Sequence, residues 1–182
     1  MVEESDHENR GAAEVNNSTS LARVVVRQII EAGITDVVIS PGSRNAALSL
    51  AFFAAAERKL ITVHVRIDER SLGFCALGAA VYGGPQVIIT TSGTAVANLH
   101  PAVLEAHHSG LGLILLTADR PAELRDKGAN QTTNQVGIFA DAVIDCIDVP
   151  APTVEDIPKL PRLAKALVEK AVLLAWGERS QP

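Results

Sequence analysis

The chain has 182 residues, room for one domain of ordinary size at roughly 150 residues per domain. Hydrophobic residues make up 47% and aromatics only 3%, the composition of an α/β core built from Ala, Val, Ile and Leu. The formal net charge of -5 argues against a polyanion-binding surface as the main business, so no nucleic-acid partner is expected, while local arginines stay free to hold a small anion.

In chain order, Met1 to Asn17 is polar and acidic without periodicity, and reads as a disordered tail rather than a signal peptide, since it has no apolar h-region. The domain is expected to run from Ser18 to Pro182. Ser18 or Thr19 is expected to cap a first helix, whose apolar face carries Leu21, Val24, Val25, Val26, Ile29 and Ile30 and whose end falls at Gly33. A short buried strand over Asp36–Ser40 stops at Pro41-Gly42. A helix over Ala46–Arg58 follows, then a strand over Leu60–Val65 and a helix over Glu69–Tyr82 halted by Gly83-Gly84-Pro85. Next come a strand over Gln86–Thr90, a helix over Thr94–His107 and a strand over Leu113–Thr117. After a long polar loop, Val143–Val149 reads as another strand, and Val154–Trp176 as a last helix interrupted near Pro158 and Pro161.

Strands that are continuously apolar are covered on both faces, which predicts a doubly wound α/β domain: a mostly parallel sheet with helices on each side. Cys75 and Cys146 sit in apolar stretches and read as two buried free thiols of a reducing compartment, with no CxxC or HExxH spacing for a metal. No apolar run approaches the ~20 residues of a membrane helix, so a cytoplasmic protein without membrane insertion is expected.

Ligands of such sheets sit beyond the carboxyl ends of the strands. After the first strand, in Ser40-Pro41-Gly42-Ser43-Arg44-Asn45, Gly42 permits a tight turn, Ser43 can cap the next helix and Arg44 stands at its positive end. Alone, this reads as an ordinary strand-to-helix turn. After the second, Asp68 suits an N-cap, while Glu69 either compensates the helix dipole or faces the cleft for proton transfer. After the third, Thr91-Ser92-Gly93-Thr94 surrounds a glycine with small hydroxyls and leaves a helix start open to a flat or anionic ligand; neither GxGxxG nor GxxxxGK[ST] occurs. The fourth ends in Thr117-Ala118-Asp119-Arg120-Pro121. The loop beyond it supplies amides from Asn130, Gln131 and Gln135, and Arg120 as a bidentate anion ligand. Of the histidines, His64 reads as a satisfied core residue, His107 and His108 as surface or helix-end residues, His7 as part of the tail, and His100 has no assigned role.

The runs Ser40-Pro41-Gly42-Ser43-Arg44, Asp68-Glu69-Arg70, Thr91-Ser92-Gly93-Thr94-Ala95-Val96-Ala97-Asn98, Thr117-Ala118-Asp119-Arg120-Pro121 and Gly128-Ala129-Asn130-Gln131, in this order, resemble one family over roughly Ser18 to Ala175. That family is the thiamine-diphosphate-dependent enzymes, most closely the 2-succinyl-5-enolpyruvyl-6-hydroxy-3-cyclohexene-1-carboxylate synthases of menaquinone biosynthesis, in their N-terminal, pyrimidine-binding domain. The resemblance implies thiamine diphosphate bound between this domain and the diphosphate domain of another subunit, hence a homodimer or homotetramer. It makes Glu69 the catalytic glutamate, whose carboxyl bonds the pyrimidine ring nitrogen and favours the imino tautomer, and lines the cofactor with Thr91, Ser92, Gly93 and Thr94. It implies decarboxylation of 2-oxoglutarate and addition of the resulting unit to isochorismate. That acceptor is held by Ser43, Arg44, Arg120, Asn130 and Gln131.

The family's metal and diphosphate signature, a Gly-Asp-Gly followed by an asparagine-rich stretch, does not occur in these residues. The Mg2+ or Mn2+ site is therefore expected in further domains, and the chain by itself is expected to be inactive. Two other readings stand beside this one: another thiamine-diphosphate decarboxylase or synthase, and a stand-alone carboxylate-binding or regulatory domain.

Overall fold

The computed structural model describes residues 16–177. The tail expected over Met1–Asn17 lies outside the described residues, except for Asn16 and Asn17. Helix α1 covers Asn17–Glu31, and its cap is Asn16, whose side-chain oxygen accepts from the Ser18 N–H at 2.8 Å. The expected cap at Ser18 or Thr19 is thus corrected upstream, because an asparagine carbonyl satisfies an orphan amide of the first turn. Ala32 ends the helix and Gly33 turns the chain at φ 82°, a value that suits glycine.

Four strands follow, β1 Asp36–Ile39, β2 Thr62–Val65, β3 Gln86–Thr90 and β4 Leu113–Thr117, all parallel in the order β2-β1-β3-β4. The helices are α2 Ala46–Glu57, α3 Glu69–Gly83, α4 Thr94–Ala97, α5 His100–Ser109 and α6 Leu160–Trp176. Side chains alternate across each strand, so β1 and β3 feed two separate cores. Val37, Ile39, Val87 and Ile89 pack with α1, α2 and α6 around a fully buried Phe52. Val38 and Ile88 pack on the other face against Leu72 and Ala76 of α3 and Val103 of α5. This is the doubly wound α/β arrangement expected, with every residue of β3 buried. The amino edge of the sheet is shut by the end of α6. A Cβ on Gly84 would lie 2.5 Å from the Trp176 ring, and one on Gly112 would run into the Ala175 carbonyl.

Four further expectations fail. Thr94–His107 is not one helix but α4 and α5, with Pro101 in the first turn of α5, where a residue lacking an N–H is tolerated. Val143–Val149 joins no strand ladder. Its Asp145 and Asp148 are drawn into ion pairs with Lys170 and Arg125, and Ile144 stands 75% exposed, so the run is an irregular strap rather than a buried strand. The cysteines are free but not buried: Cys146 lies exposed on that strap and Cys75 is half-buried on α3. His64 is no core residue either. It lies half-exposed on the edge strand β2 and donates to Asp36 Oδ1 at 2.8 Å, so it is satisfied, but by a carboxylate that was not foreseen and outside the core.

The last helix is interrupted as expected, by a 3-10 turn over Val154–Lys159 ahead of α6, and His100 meets Phe139 edge-on at 5.6 Å. No helix among the described residues is long and apolar enough to cross a membrane.

Candidate active site

Backbone hydrogen bonds continue one residue past the strands, from Ser40 N to Ile89 O, Arg66 N to Ile39 O and Ala118 N to Thr90 O. All four strand ends are thereby aligned along one edge, and the segments following them share one surface. After β1 the turn is tied by Asn45, which is buried. Its carbonyl oxygen accepts from Gly42 N at 2.8 Å and its amide donates to Ser40 O at 2.7 Å. Asn45, not Ser43, occupies the N-cap position of α2, so the capping role expected of Ser43 is corrected. The reason is reach: an amide of this length spans the turn with both its groups. Ser43 instead accepts from Arg44 Nη1 at 3.3 Å.

Glu69 is the first residue of α3, whose N-cap is Asp68, accepting from Ser71 N at 2.7 Å. That backbone hydrogen bond holds the Asp68 carboxyl below its ordinary value. Asp68 therefore does the structural work, and the Glu69 carboxyl is free to lie half-buried at the edge of the sheet. There its Oε2 accepts from Asn98 Nδ2 at 3.1 Å. Its Oε1 lies 3.4 Å from Ser40 Oγ, a hydroxyl that also reaches Ile67 O at 3.1 Å.

The segment after β3 forms the floor. Thr91 and Ser92 are buried, and the Thr91 hydroxyl has no partner among the described residues. Gly42 lies so close above Thr91 that a Cβ there would sit 2.5 Å from the threonine side chain. Gly93 holds φ 79°, and its N–H donates to Gln135 Oε1 at 2.7 Å. Thr94 begins α4 with its side chain exposed.

The loop after β4 closes over this floor. Ser92 Oγ donates to Gln131 O at 2.8 Å, Arg44 Nη1 to Gln131 Oε1 at 3.4 Å, and Arg120 Nη2 to Asn130 O at 2.7 Å. Arg125 braces the loop from behind, with Nε donating to Arg120 O at 3.2 Å and the guanidinium gripping Asp148 at 2.7 and 3.1 Å and Asp119 at 3.0 Å. The hydrogen bond from Arg125 holds Asp148 below the ordinary carboxylate range, whereas burial pushes Asp119 above it against the pull of the same guanidinium.

Every residue singled out from the sequence lies on this edge. Ser43, Arg44 and Gln131 form one group, Arg120 and Asn130 a second, Thr91 to Thr94 the floor, and Glu69 joins Ser40 and Asn98. Sequence reasoning gave no role to Ser40, Asn45 or Asn98, and treated Gln135 only as one amide among several. The available signal was an isolated polar residue in an apolar or small-residue run, such as Asn98 between Ala97 and Leu99.

The family model described as thiamine pyrophosphate enzyme, N-terminal TPP binding domain, matches residues 19–138. The chain belongs to this family.

Among curated relatives of this TPP-binding domain, a protein of Kineococcus radiotolerans is 49% identical over 166 residues, covering 91% of this chain and 30% of its own length. One of Clavibacter michiganensis is 52% identical over 159 residues, 86% of this chain and 27% of its own. One of Thermobifida fusca is 55% identical over 130 residues, 71% and 23% respectively. Each is named 2-succinyl-5-enolpyruvyl-6-hydroxy-3-cyclohexene-1-carboxylate synthase. The chain spans less than a third of the length of these relatives. The matched stretch of the TPP-binding domain contains the four strand ends, Glu69 and the loop through Gln135.

Proposed function

We propose that this TPP-binding domain serves an enzyme that decarboxylates 2-oxoglutarate and transfers the remaining four-carbon unit to isochorismate, in menaquinone biosynthesis. The observation that carries the reading is the carboxyl of Glu69, held at the edge of the sheet by Asn98 and Ser40 beside a floor of small residues and two arginine-bearing turns.

The residues fit the cofactor. Gly42 and Gly93 let Thr91 and Gln131 pack into a compact floor, the buried Thr91 hydroxyl has no partner among the described residues, and the Glu69 carboxyl keeps acceptor capacity beyond its two contacts. Thr91 to Thr94 and Glu69 would hold the pyrimidine side. When bound, thiamine diphosphate supplies a carbon nucleophile and a sink for the electrons released with carbon dioxide.

The chain's own residues supply proton handling and acceptor binding. Because Asn98 donates to Oε2, Glu69 Oε1 is the oxygen on which an exchanging proton resides, and Ser40 can follow its protonation by turning its hydroxyl to Ile67 O. Arg44 and Arg120 face the acceptor's carboxylates as charge-assisted donors, and Ser43, Asn130 and Gln131 offer neutral partners for its hydroxyl. With this reading come Mg2+ or Mn2+ for the diphosphate, held outside these residues, a homodimer or homotetramer that completes the cleft, a cytoplasmic setting, and no turnover from this chain alone.

The test is product formation by the full-length protein supplied with 2-oxoglutarate, isochorismate, thiamine diphosphate and Mg2+. Turnover is expected for the native protein, and Glu69→Gln should lower it by at least about a thousandfold, as loss of a proton-transferring group does. An unchanged rate in Glu69→Gln sinks the mechanism. Binding of isochorismate without turnover under any of these conditions would favour the carboxylate-binding reading instead.

A further inference from the structure

The loop between Ala118 and Gln135 carries three of the five acceptor residues, yet apolar burial does not hold it down. From 119 to 135 the one buried residue is Gln135, 8% exposed. Its side-chain amide is used at both ends. Oε1 accepts from Gly93 N at 2.7 Å, and Nε2 donates to Ala118 O at 2.9 Å. The second bond joins the residue that ends the loop to the one that begins it, and the first fastens that junction to the turn after β3. Of the loop's other ties, Arg120 to Asn130 O and Arg44 to Gln131 Oε1 are exposed to solvent and correspondingly weak, while Ser92 Oγ to Gln131 O and Arg125 Nε to Arg120 O are part-buried but do not join its two ends.

We infer that Gln135 is a positioning residue for acceptor specificity: its amide clasps the loop bearing Arg120, Asn130 and Gln131 shut and docks it on the Ser92–Gly93 floor. The inference rests on the acceptor role proposed above for those three residues.

The chemistry at the junction specifies glutamine. One neighbour is an N–H and the other a carbonyl, so the side chain must present one acceptor and one donor at fixed positions. An ionised glutamate presents two acceptors, an asparagine is one methylene short, and a leucine satisfies neither backbone group. The docking also depends on residue 93 lacking a side chain, since a Cβ on Gly93 would stand 2.9 Å from Gln131 O. Ser92 completes the seam by donating to that same carbonyl at 2.8 Å. Cofactor floor and acceptor loop therefore meet as one hydrogen-bonded unit, and a change in the loop's register moves Gln131 relative to the floor.

The test compares Gln135→Leu and Gln135→Glu with the native full-length protein. In Gln135→Leu, loss of one buried and one part-buried hydrogen bond should raise the KM for isochorismate at least about tenfold, while the KM for 2-oxoglutarate stays within about twofold. Under native conditions trypsin should cut after Arg125 and Lys127 at least about tenfold faster, and the Gly93 amide should lose its protection from hydrogen exchange. Gln135→Glu should separate the two bonds, with Gly93 still protected but loop cleavage accelerated. Unchanged loop cleavage and Gly93 exchange in Gln135→Leu would overturn the clasp. An equal rise in both KM values, accompanied by a general loss of thermal stability, would reduce Gln135 to a structural residue. If the native protein does not use isochorismate, the function reading fails by itself, and the cleavage and exchange results still decide the clasp.

Discussion

The two ends of this sheet use the same device for opposite purposes. At the amino edge Gly84 and Gly112 lack side chains so that Trp176 and the Ala175 carbonyl can press against them. At the carboxyl edge Gly42 and Gly93 lack side chains so that Thr91 and Gln131 can. What differs is the company. The first pair meets an aromatic ring and the end of a helix, and closes a core. The second meets hydroxyls, amides and guanidinium groups, and leaves Glu69 at the edge. A close backbone approach is thus uninformative about function until the chemistry around it is known.

The comparison can be broken from either side. The largest effect is expected at the amino edge, where Gly112→Ala forces a Cβ against the Ala175 backbone, which cannot yield as a flexible side chain would. A loss of about 3 kcal/mol is expected, seen in thermal denaturation as a fall of several degrees, with the KM for isochorismate unchanged. A large change in that KM would show that the two edges are not separate.

Next is Arg44→Ala at the carboxyl edge. Arg44 makes only exposed contacts near 3.3 and 3.4 Å, so the melting temperature should hold, while the KM for isochorismate rises roughly tenfold, the loss of one charge-assisted hydrogen bond. A stability loss with unaltered acceptor use would reverse the assignment of the two edges.

The smallest effect belongs to Asp36→Asn, at the amino end of β1. The hydrogen bond from His64 lowers the Asp36 carboxyl below its ordinary value against the opposing pull of burial. A carboxyl depressed in the folded state adds stability above its unfolded pKa of about 3.9 and loses it as pH falls through the folded value. With the side chain 37% exposed, the contribution at pH 7 should stay below about 1 kcal/mol. The difference in stability between Asp36→Asn and the native protein should shrink as pH falls through the lowered folded value; a difference that grows there would contradict the sign.

Much of the frame was legible because β1, β3 and β4 are near-continuous apolar runs, each with a glycine or proline close to one end. Gln86–Thr90 and Leu113–Thr117 have the limits expected, and Glu69 opens its helix as expected. Val143–Val149 looks the same in composition, yet a strand needs a ladder partner, and its aspartates reach ion-pair partners distant in sequence, Lys170 and Arg125. The placing of Arg44, Arg120, Asn130 and Gln131 in the segments beyond the strand ends was legible, because the fold class tells which ends of the strands to read. The contacts of Glu69 with Asn98 and of Gly93 with Gln135 were not, since they span 29 and 42 residues and follow no local pattern.

The strap over Val143–Val149 has a consequence for solubility. It carries Ile144 and Ile147 exposed, in a fold whose β4 is paired with β3 alone among the described strands and so ends the sheet with an edge. An exposed β-prone segment, like an open edge, invites pairing between molecules. Asp145 and Asp148 interrupt the apolar run and act as gatekeepers against that pairing. The hydrogen bonds from Lys170 and Arg125 hold both carboxyls below the ordinary range. The protection therefore persists into more acidic solution than unpaired aspartates would allow, and the ion pairs that replace a fifth strand also guard against self-association.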